Sequence, residues 1–254
     1  MPQVHRIPLA SGLSADLLVE GSGQPLVFLH PAQGRVWSPF LDGLAETHRV
    51  YAPQTPGSDE PDLLVDFDGF ADLSLYYDDL FQALGIDRAV VVGHAFGAMA
   101  AAEFAARHPQ RVAALVLIGA KGLWLDETPV ADVHTTHPTK LATLMFSDPD
   151  GAAAQSVLGK PTPQDRLEYQ LALGAASHFY WPIPDRDLRR RLYRIAAPTL
   201  LVWGAQDRVV PPIYADAFAA GIRDTRKLLV EGAGHFPHLE NPDAVLSAVR
   251  AFVA

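Results

Sequence analysis

Two glycines frame position 95. In Val90-Val91-Val92-Gly93-His94-Ala95-Phe96-Gly97-Ala98-Met99-Ala100 an apolar run passes without a linker into an alanine-rich stretch, and Gly93 and Gly97 stand two residues to either side of Ala95. That spacing suits a strand turning sharply into a helix, its central residue strained at positive φ and the flanking positions kept small so that backbones can cross. Such a turn, a nucleophile elbow, presents an attacking oxygen, and serine is the residue expected at its centre. Here the centre is Ala95. Taken alone, the segment reads equally as a plain strand–helix junction with a loose Gly-x-x-x-Gly spacing.

Two later segments bear on that choice. Trp203-Gly204-Ala205-Gln206-Asp207-Arg208-Val209-Val210-Pro211 follows one late strand, and Glu231-Gly232-Ala233-Gly234-His235-Phe236-Pro237-His238-Leu239-Glu240 follows the last. Singly, Asp207 could be a turn residue and His235 a loop histidine. Together, in this order after the elbow, the three motifs resemble the α/β-hydrolase superfamily, in which a Ser-Asp-His triad is laid out along the chain in this way. The resemblance covers nearly all of the chain outside residues 121–194. It implies an α/β fold with a mostly parallel central sheet flanked by helices and a helical cap insertion. It also assigns the roles: His235 as general base and then acid, Asp207 holding its tautomer, and Ala95 in the nucleophile position. Some members carry the acid after the strand that follows the elbow helix. Ile118-Gly119-Ala120-Lys121-Gly122 offers no carboxylate there, which leaves Asp207.

His30-Pro31-Ala32-Gln33-Gly34 occupies the place where the superfamily carries His-Gly and an amide of the oxyanion hole. Proline has no amide hydrogen, so the donor must be Ala32 or Gln33, with Ala32 the first choice; the second is the amide of Phe96 at the start of the elbow helix. His30 reads first as a structural histidine hydrogen-bonding its loop, and it is also a candidate substrate contact.

Alanine at 95 supplies no nucleophile, so this chain cannot form an acyl-enzyme there. Three readings follow: a serine-to-alanine form of a hydrolase, a natural ligand-binding relative, or a cofactor-free lyase or oxygenase using His235. An elbow strained by about 1–3 kcal/mol has no reason to persist without a purpose, so the expectation is a parent hydrolase with serine at 95, inactivated here. The native codon at 95 separates these readings.

The segment Lys121–Arg194 lacks strand patterning and carries Trp124, His134, His137, Met145, Phe146, Tyr169, His178, Phe179, Tyr180 and Trp181. A structureless loop of that length is improbable in a compact domain, so it is expected to be a helical cap inserted between core segments 1–120 and 195–254. Trp181 to Leu192 with Ala197 to Leu200 is similar to capped bacterial meta-cleavage product hydrolases and carboxylesterases. That similarity implies an ester, lactone or β-diketone-like carbon–carbon bond in a small apolar or aromatic substrate, with no cofactor. Trp124, Phe146, Trp181 and Phe236 are the candidate contacts beside His30, although cap aromatics serve equally as the cap's own core. Arg189-Arg190-Arg191 reads as a solvated face, relevant to a carboxylate-bearing substrate only if it points inward. His134-x-x-His137 and His235-x-x-His238 are weak zinc spacings without a clear third ligand, so no metal is expected. A dinucleotide fingerprint and a P-loop Lys-Ser/Thr are missing from the sequence. Epoxide hydrolases and dehalogenases of this fold need an aspartate at the elbow, and the Gly-His-x-Phe-Gly setting looks more like the serine branch.

The elements that must position these residues are legible in outline. Val4–Ile7 and Ala15–Glu20 flank Ser11-Gly12 as an antiparallel hairpin. Leu26–Leu29, Val50–Ala52, Ala89–Val92, Val112–Ile118, Thr199–Trp203 and Lys227–Val230 read as strands, several apolar at every position as in a sheet covered on both faces. Helices are expected over Phe70–Leu84, Phe96–Arg107, about Ile213–Ala220, and Asp243–Val253. Strands alternating with helices indicate a mostly parallel sheet. The 254 residues correspond to roughly 1.7 domains of average size, hence one core with an insertion. A hydrophobic share of 49% gives a sizeable core, and a net charge of −9 disfavours nucleic acid and anionic membranes. The absence of cysteine removes disulfides, Cys-ligated metals and a thiolate nucleophile. With neither a signal-like nor a membrane-length apolar run, the expectation is a cytoplasmic monomer or homodimer acting on a small molecule.

Overall fold

A computed structural model describes residues 2–159 and 162–254; Lys160 and Pro161, within the expected insertion, lie outside the described residues. Eight strands form one sheet: β1 (Gln3–Pro8), β2 (Ser14–Glu20), β3 (Gln24–Leu29), β4 (His48–Pro53), β5 (Ala89–His94), β6 (Val112–Ile118), β7 (Thr199–Gly204) and β8 (Thr225–Val230). Their spatial order is β1-β2-β4-β3-β5-β6-β7-β8. The expected hairpin is present, with Val4 opposite Leu18 and Arg6 opposite Asp16. β2 also runs antiparallel to β4, while β4, β3, β5, β6, β7 and β8 are mutually parallel. This is the mostly parallel α/β sheet that the alternation of elements predicts.

The all-apolar strands are explained by two cores, one on each face. Alternate residues Val27, Leu29, Val91, Leu115, Leu117, Leu201 and Trp203 point to one side. There they meet α2 (Phe70–Ala83), α3 (Phe96–Arg107) and α7 (Ile213–Ala219). The intervening Leu26, Phe28, Val90, Val92, Val116, Ile118, Leu200 and Val202 point to the other side. That face is covered by Phe40, Leu41 and Leu44 of α1 (Pro39–Ala45) and by Val245 and Val249 of α9 (Pro242–Val253). α1 carries little periodic signal, since only seven residues form it between two loops. β8 is half exposed and closes one edge of the sheet.

Between β6 and β7 the chain forms α4 (Pro138–Met145), α5 (Ala152–Leu158) and α6 (Pro163–Tyr180). α6 starts with a reciprocal capping box, Thr162 accepting from the Asp165 N–H while Asp165 accepts from the Thr162 N–H. Its inner stripe of Tyr169, Ala172, Ala176 and Tyr180 recurs about once per turn. A short helix, α8 (Pro237–Glu240), follows His235 and precedes α9.

Candidate active site

The strand-to-helix turn between β5 and α3 is as sharp as its glycines require. Ala95 stands at φ 52 and ψ −109, a region that residues with a Cβ rarely adopt. Its amide donates to Ile118 O (2.9 Å), and its carbonyl accepts from the N–H groups of Met99 (3.1 Å) and Lys121 (3.2 Å). A Cβ on Gly97 would collide with the carbonyls of Leu29 and His30, and one on Gly93 with Gly97 O. The helix start therefore rests on the end of β3 and the first residue of the loop that follows, Leu29 and His30. As the first residue of α3, Phe96 has an N–H without an intrahelical acceptor.

Asp207 and His235, from the loops after β7 and β8, meet as a buried pair. His235 Nδ1 donates to Asp207 Oδ2 at 2.8 Å, while Asp207 Oδ1 accepts from the amides of Val209 and Val210, each at 2.9 Å. The carboxylate is thus held by three donors, and with Nδ1 donating, Nε2 is the ring nitrogen that bears the lone pair in the neutral imidazole. Several contacts hold the histidine loop. The His235 N–H donates to Met145 O (2.7 Å), His94 Nε2 donates to His235 O (2.7 Å), and Glu240 accepts from the Gly234 N–H (2.8 Å). A Cβ on Gly119 would lie 3.2 Å from His235 Nδ1 and 3.3 Å from Asp207 Oδ2, so the turn after β6 also closes on the pair. Burial drives His94 well below the usual histidine range, and nearby His238 and His235 add to the effect. His238, buried against Phe40 and His94, is pushed down to about 3 by burial and by His235. Neutral imidazoles thus surround the pair.

The other candidate residues disperse. Ala32 is buried in a turn closed by the Gly34 N–H on Pro31 O (3.1 Å). His30 packs edge-on against Phe28 at 5.0 Å, and its Nε2 has no hydrogen-bond partner. Burial, followed by Arg35 and His238, brings its pKa to about 3; the loop hydrogen bond expected of His30 is therefore not seen at Nε2, and the ring is held by packing on Phe28. Phe146 and Phe236 stack 4.9 Å apart, with Phe236 set 5.6 Å from the His235 ring. Trp124 is half buried, with its indole on Asp126. Trp181 is 44% exposed, and its indole N–H reaches Asp132 (3.3 Å). The side chain that faces inward is its neighbour Tyr180, stacked on Phe96 at 5.6 Å, because Tyr180 is the last residue on the inner stripe of α6 and Trp181 lies beyond the helix.

The expected solvated face at Arg189–Arg191 is corrected at its last residue. Arg191 forks onto Glu103 of α3 (Nε to Oε2 3.0 Å, Nη2 to Oε1 2.6 Å), because that fully buried carboxylate requires a counter-charge. His134 and His137 serve separate purposes. His134 bonds Tyr180, whereas His137 accepts from the Thr139 N–H at the start of α4. Among the described residues, no three His, Cys, Asp or Glu side chains are arranged to hold a metal, and no helix is long and apolar enough to cross a membrane.

Sequence reasoning missed Lys121. It is 3% exposed, donates to Tyr180 Oη (3.2 Å), and is lowered by burial to about 8 despite Asp132 and Asp207. The one available signal was a lysine three residues after an apolar strand.

The alpha/beta hydrolase fold family model matches residues 24–242. The 2-hydroxymuconate semialdehyde hydrolase of Pseudomonas sp. (strain CF600) is 25% identical over 271 residues, spanning 100% of this chain and 95% of that protein. A pimeloyl-[acyl-carrier protein] methyl ester esterase of Xanthomonas campestris pv. campestris is 29% identical over 252 residues, spanning 93% and 97%. Among solved structures, a meta-cleavage product hydrolase from Pseudomonas fluorescens, a serine-to-alanine mutant complexed with acetates, superposes with TM-score 0.79 at 22% identity, covering 98% of this chain and 96% of that one.

Proposed function

Because the chain belongs to the α/β-hydrolase fold family, we propose that its site is that of a serine hydrolase whose nucleophile has been replaced by Ala95. The observation that carries this reading is the conjunction of a strained elbow at Ala95, φ 52, with a fully built Asp207–His235 pair at 2.8 Å. Strain of about 1–3 kcal/mol is retained around a residue that lacks only one oxygen.

With serine at 95, His235 Nε2 takes the hydroxyl proton as the oxygen attacks a carbonyl carbon, and Asp207 stabilises the resulting imidazolium. The amides of Ala32 and Phe96 receive the developing oxyanion. His235 then protonates the leaving group, and water releases the acyl group by the same route reversed. The substrate is a small apolar or aromatic molecule with an ester, lactone or β-diketone-like carbon–carbon bond, in keeping with relatives named for meta-cleavage products and for a methyl ester. Residues 121–194 act as a cap over the core formed by 1–120 and 195–254, and Phe146 and Phe236 line the apolar side of the site.

Ala95→Ser tests the reading. Loss of a triad serine typically costs on the order of a million-fold in turnover. Restoring it should therefore raise p-nitrophenyl ester hydrolysis by several orders of magnitude and allow covalent labelling by a fluorophosphonate. A folded Ala95→Ser protein with neither turnover nor label overturns it.

A further inference from the structure

A second group of reactive side chains adjoins Ala95. The N–H of Lys121 is bonded to Ala95 O, and the Lys121 side chain turns inward to Tyr180, whose ring stacks on Phe96. From Tyr180 the bonds continue outward: Tyr180 Oη to His134 Nε2 (2.5 Å), His134 Nδ1 to Ser177 Oγ (3.2 Å), and Ser177 Oγ to Leu173 O (2.6 Å).

Only one assignment of protons satisfies this chain. Leu173 O can only accept, so Ser177 donates to it and accepts from His134 Nδ1–H. His134 Nε2 is then bare and accepts the Tyr180 O–H, which leaves the Tyr180 oxygen to accept an N–H of Lys121. Tyr180 Oη is the sole hydrogen-bond partner of the Lys121 amine among the described residues, and no carboxylate lies within ion-pairing distance of it. An ammonium needs acceptors for three N–H groups and finds one here, with the centre of the Tyr180 ring 4.6 Å from Nζ as its further support. A neutral amine is well served: one N–H is bonded and the lone pair is free. Burial acts in the same direction, lowering Lys121 to about 8, so a far larger share of this amine is neutral at pH 7 than of an ordinary lysine; the carboxylates that act on it are Asp132 and Asp207, and the imidazoles of His134 and His94 face it as well.

We propose that Lys121 is a second reactive centre, an amine nucleophile that captures an aldehyde or ketone as an imine beside Ala95. The Lys121 nitrogen forms a bond to the carbonyl carbon as the C=O π pair moves to oxygen, which takes a proton. The resulting hydroxyl takes a second proton and leaves as water, and the nitrogen lone pair closes the C=N bond. The two protons that nitrogen sheds balance the two that oxygen gains. Tyr180 Oη stands between donor and acceptor, and His134 connects it to a groove of about 410 Å³ lined by Val133, Leu141, Leu173 and Ser177. No oxidant, reductant or metal enters the balance.

The test uses the native chain at pH 7 with benzaldehyde and sodium cyanoborohydride, which converts an imine into a stable secondary amine, followed by peptide mapping by mass spectrometry. The sequence has three other lysines, Lys140, Lys160 and Lys227. Lys121 is expected to be benzylated at least ten-fold faster than Lys140 and Lys227. Tyr180→Phe should lower the Lys121 rate at least ten-fold and leave those two unchanged. Benzylation of Lys140 and Lys227 with Lys121 untouched overturns the proposal, as does equal labelling of Lys121 in Tyr180→Phe. The readout requires no hydrolysis, so its failure is distinct from a failure of Ala95→Ser.

Discussion

Replacing Ala95 by glycine measures the strain on which the functional reading depends. At φ 52 and ψ −109 a residue with a Cβ is disfavoured by about 1–3 kcal/mol, and glycine is not. Against that relief stand about 0.5–1 kcal/mol for glycine's greater freedom in the unfolded chain and about 0.8 kcal/mol for one buried methyl group. Ala95→Gly should therefore fall between about 1 kcal/mol less stable and about 1.5 kcal/mol more stable than the parent. Ala101→Gly is the control. Ala101 is equally buried in α3 but sits in regular helix, so the same methyl is lost together with about 1 kcal/mol of helix propensity, for a destabilisation of about 2 kcal/mol. Urea unfolding followed by circular dichroism, with m-values shown to be equal, gives both numbers. The expected gap between the variants is about 1–3 kcal/mol. If Ala95→Gly destabilises as much as Ala101→Gly, the elbow stores no strain, and the case for a retained nucleophile position loses its physical basis.

Glu103→Ala removes the shared partner of Arg107 and Arg191, leaving two half-buried guanidinium groups uncompensated. A loss of about 3 kcal/mol is expected in urea unfolding, at the low end for a buried pair because both arginines keep some contact with water. Lys121→Met should stabilise the protein near neutral pH. Burial holds the amine at about 8 against its usual 10.5, so between these values the unfolded chain binds the extra proton and the native chain does not. Parent stability therefore rises with pH through that window, and below about pH 8 the full cost of about 3 kcal/mol is present. Less about 1 kcal/mol for the lost bond to Tyr180, Lys121→Met should gain about 2 kcal/mol at pH 7. That advantage should disappear by about pH 10.5, and a pH-independent difference in denaturation midpoint would refute the assignment.

The parts legible in sequence are those set by local pattern. Strands β5 and β6 read correctly because both sheet faces are covered, which makes every position apolar, and α3 because its alanines carry the helix to the residue expected, Arg107. Gly93 and Gly97 are readable because a Cβ at either would strike backbone that cannot move aside. Asp207 and His235 emerge from their order along the chain, although nothing local in either segment announces the 2.8 Å contact. What escapes depends on partners far apart in sequence. Arg191 looks like one of three surface arginines until Glu103, 88 residues earlier, is seen fully buried beneath it. Tyr180 and Trp181 are both plausible inward aromatics by composition. The end of α6 decides between them, since Tyr180 continues the stripe of Ala172 and Ala176 and Trp181 follows the helix.

Lys121 shows why that second kind of information matters for function. A lysine after a strand is ordinarily a solvated residue, and its identity alone suggests nothing. Its burial follows from geometry fixed elsewhere: the elbow places Ala95 O where the Lys121 amide must meet it, and α6 lays Tyr180 over Phe96, enclosing the amine. The same two constraints that shape the proposed acyl site therefore create the amine site. That enclosure depends on no side-chain oxygen at 95, because Gly93, Gly97 and the backbone bonds of Ala95 build it. A turn held this rigidly by backbone contacts keeps the neighbouring groups oriented whatever side chain stands at 95.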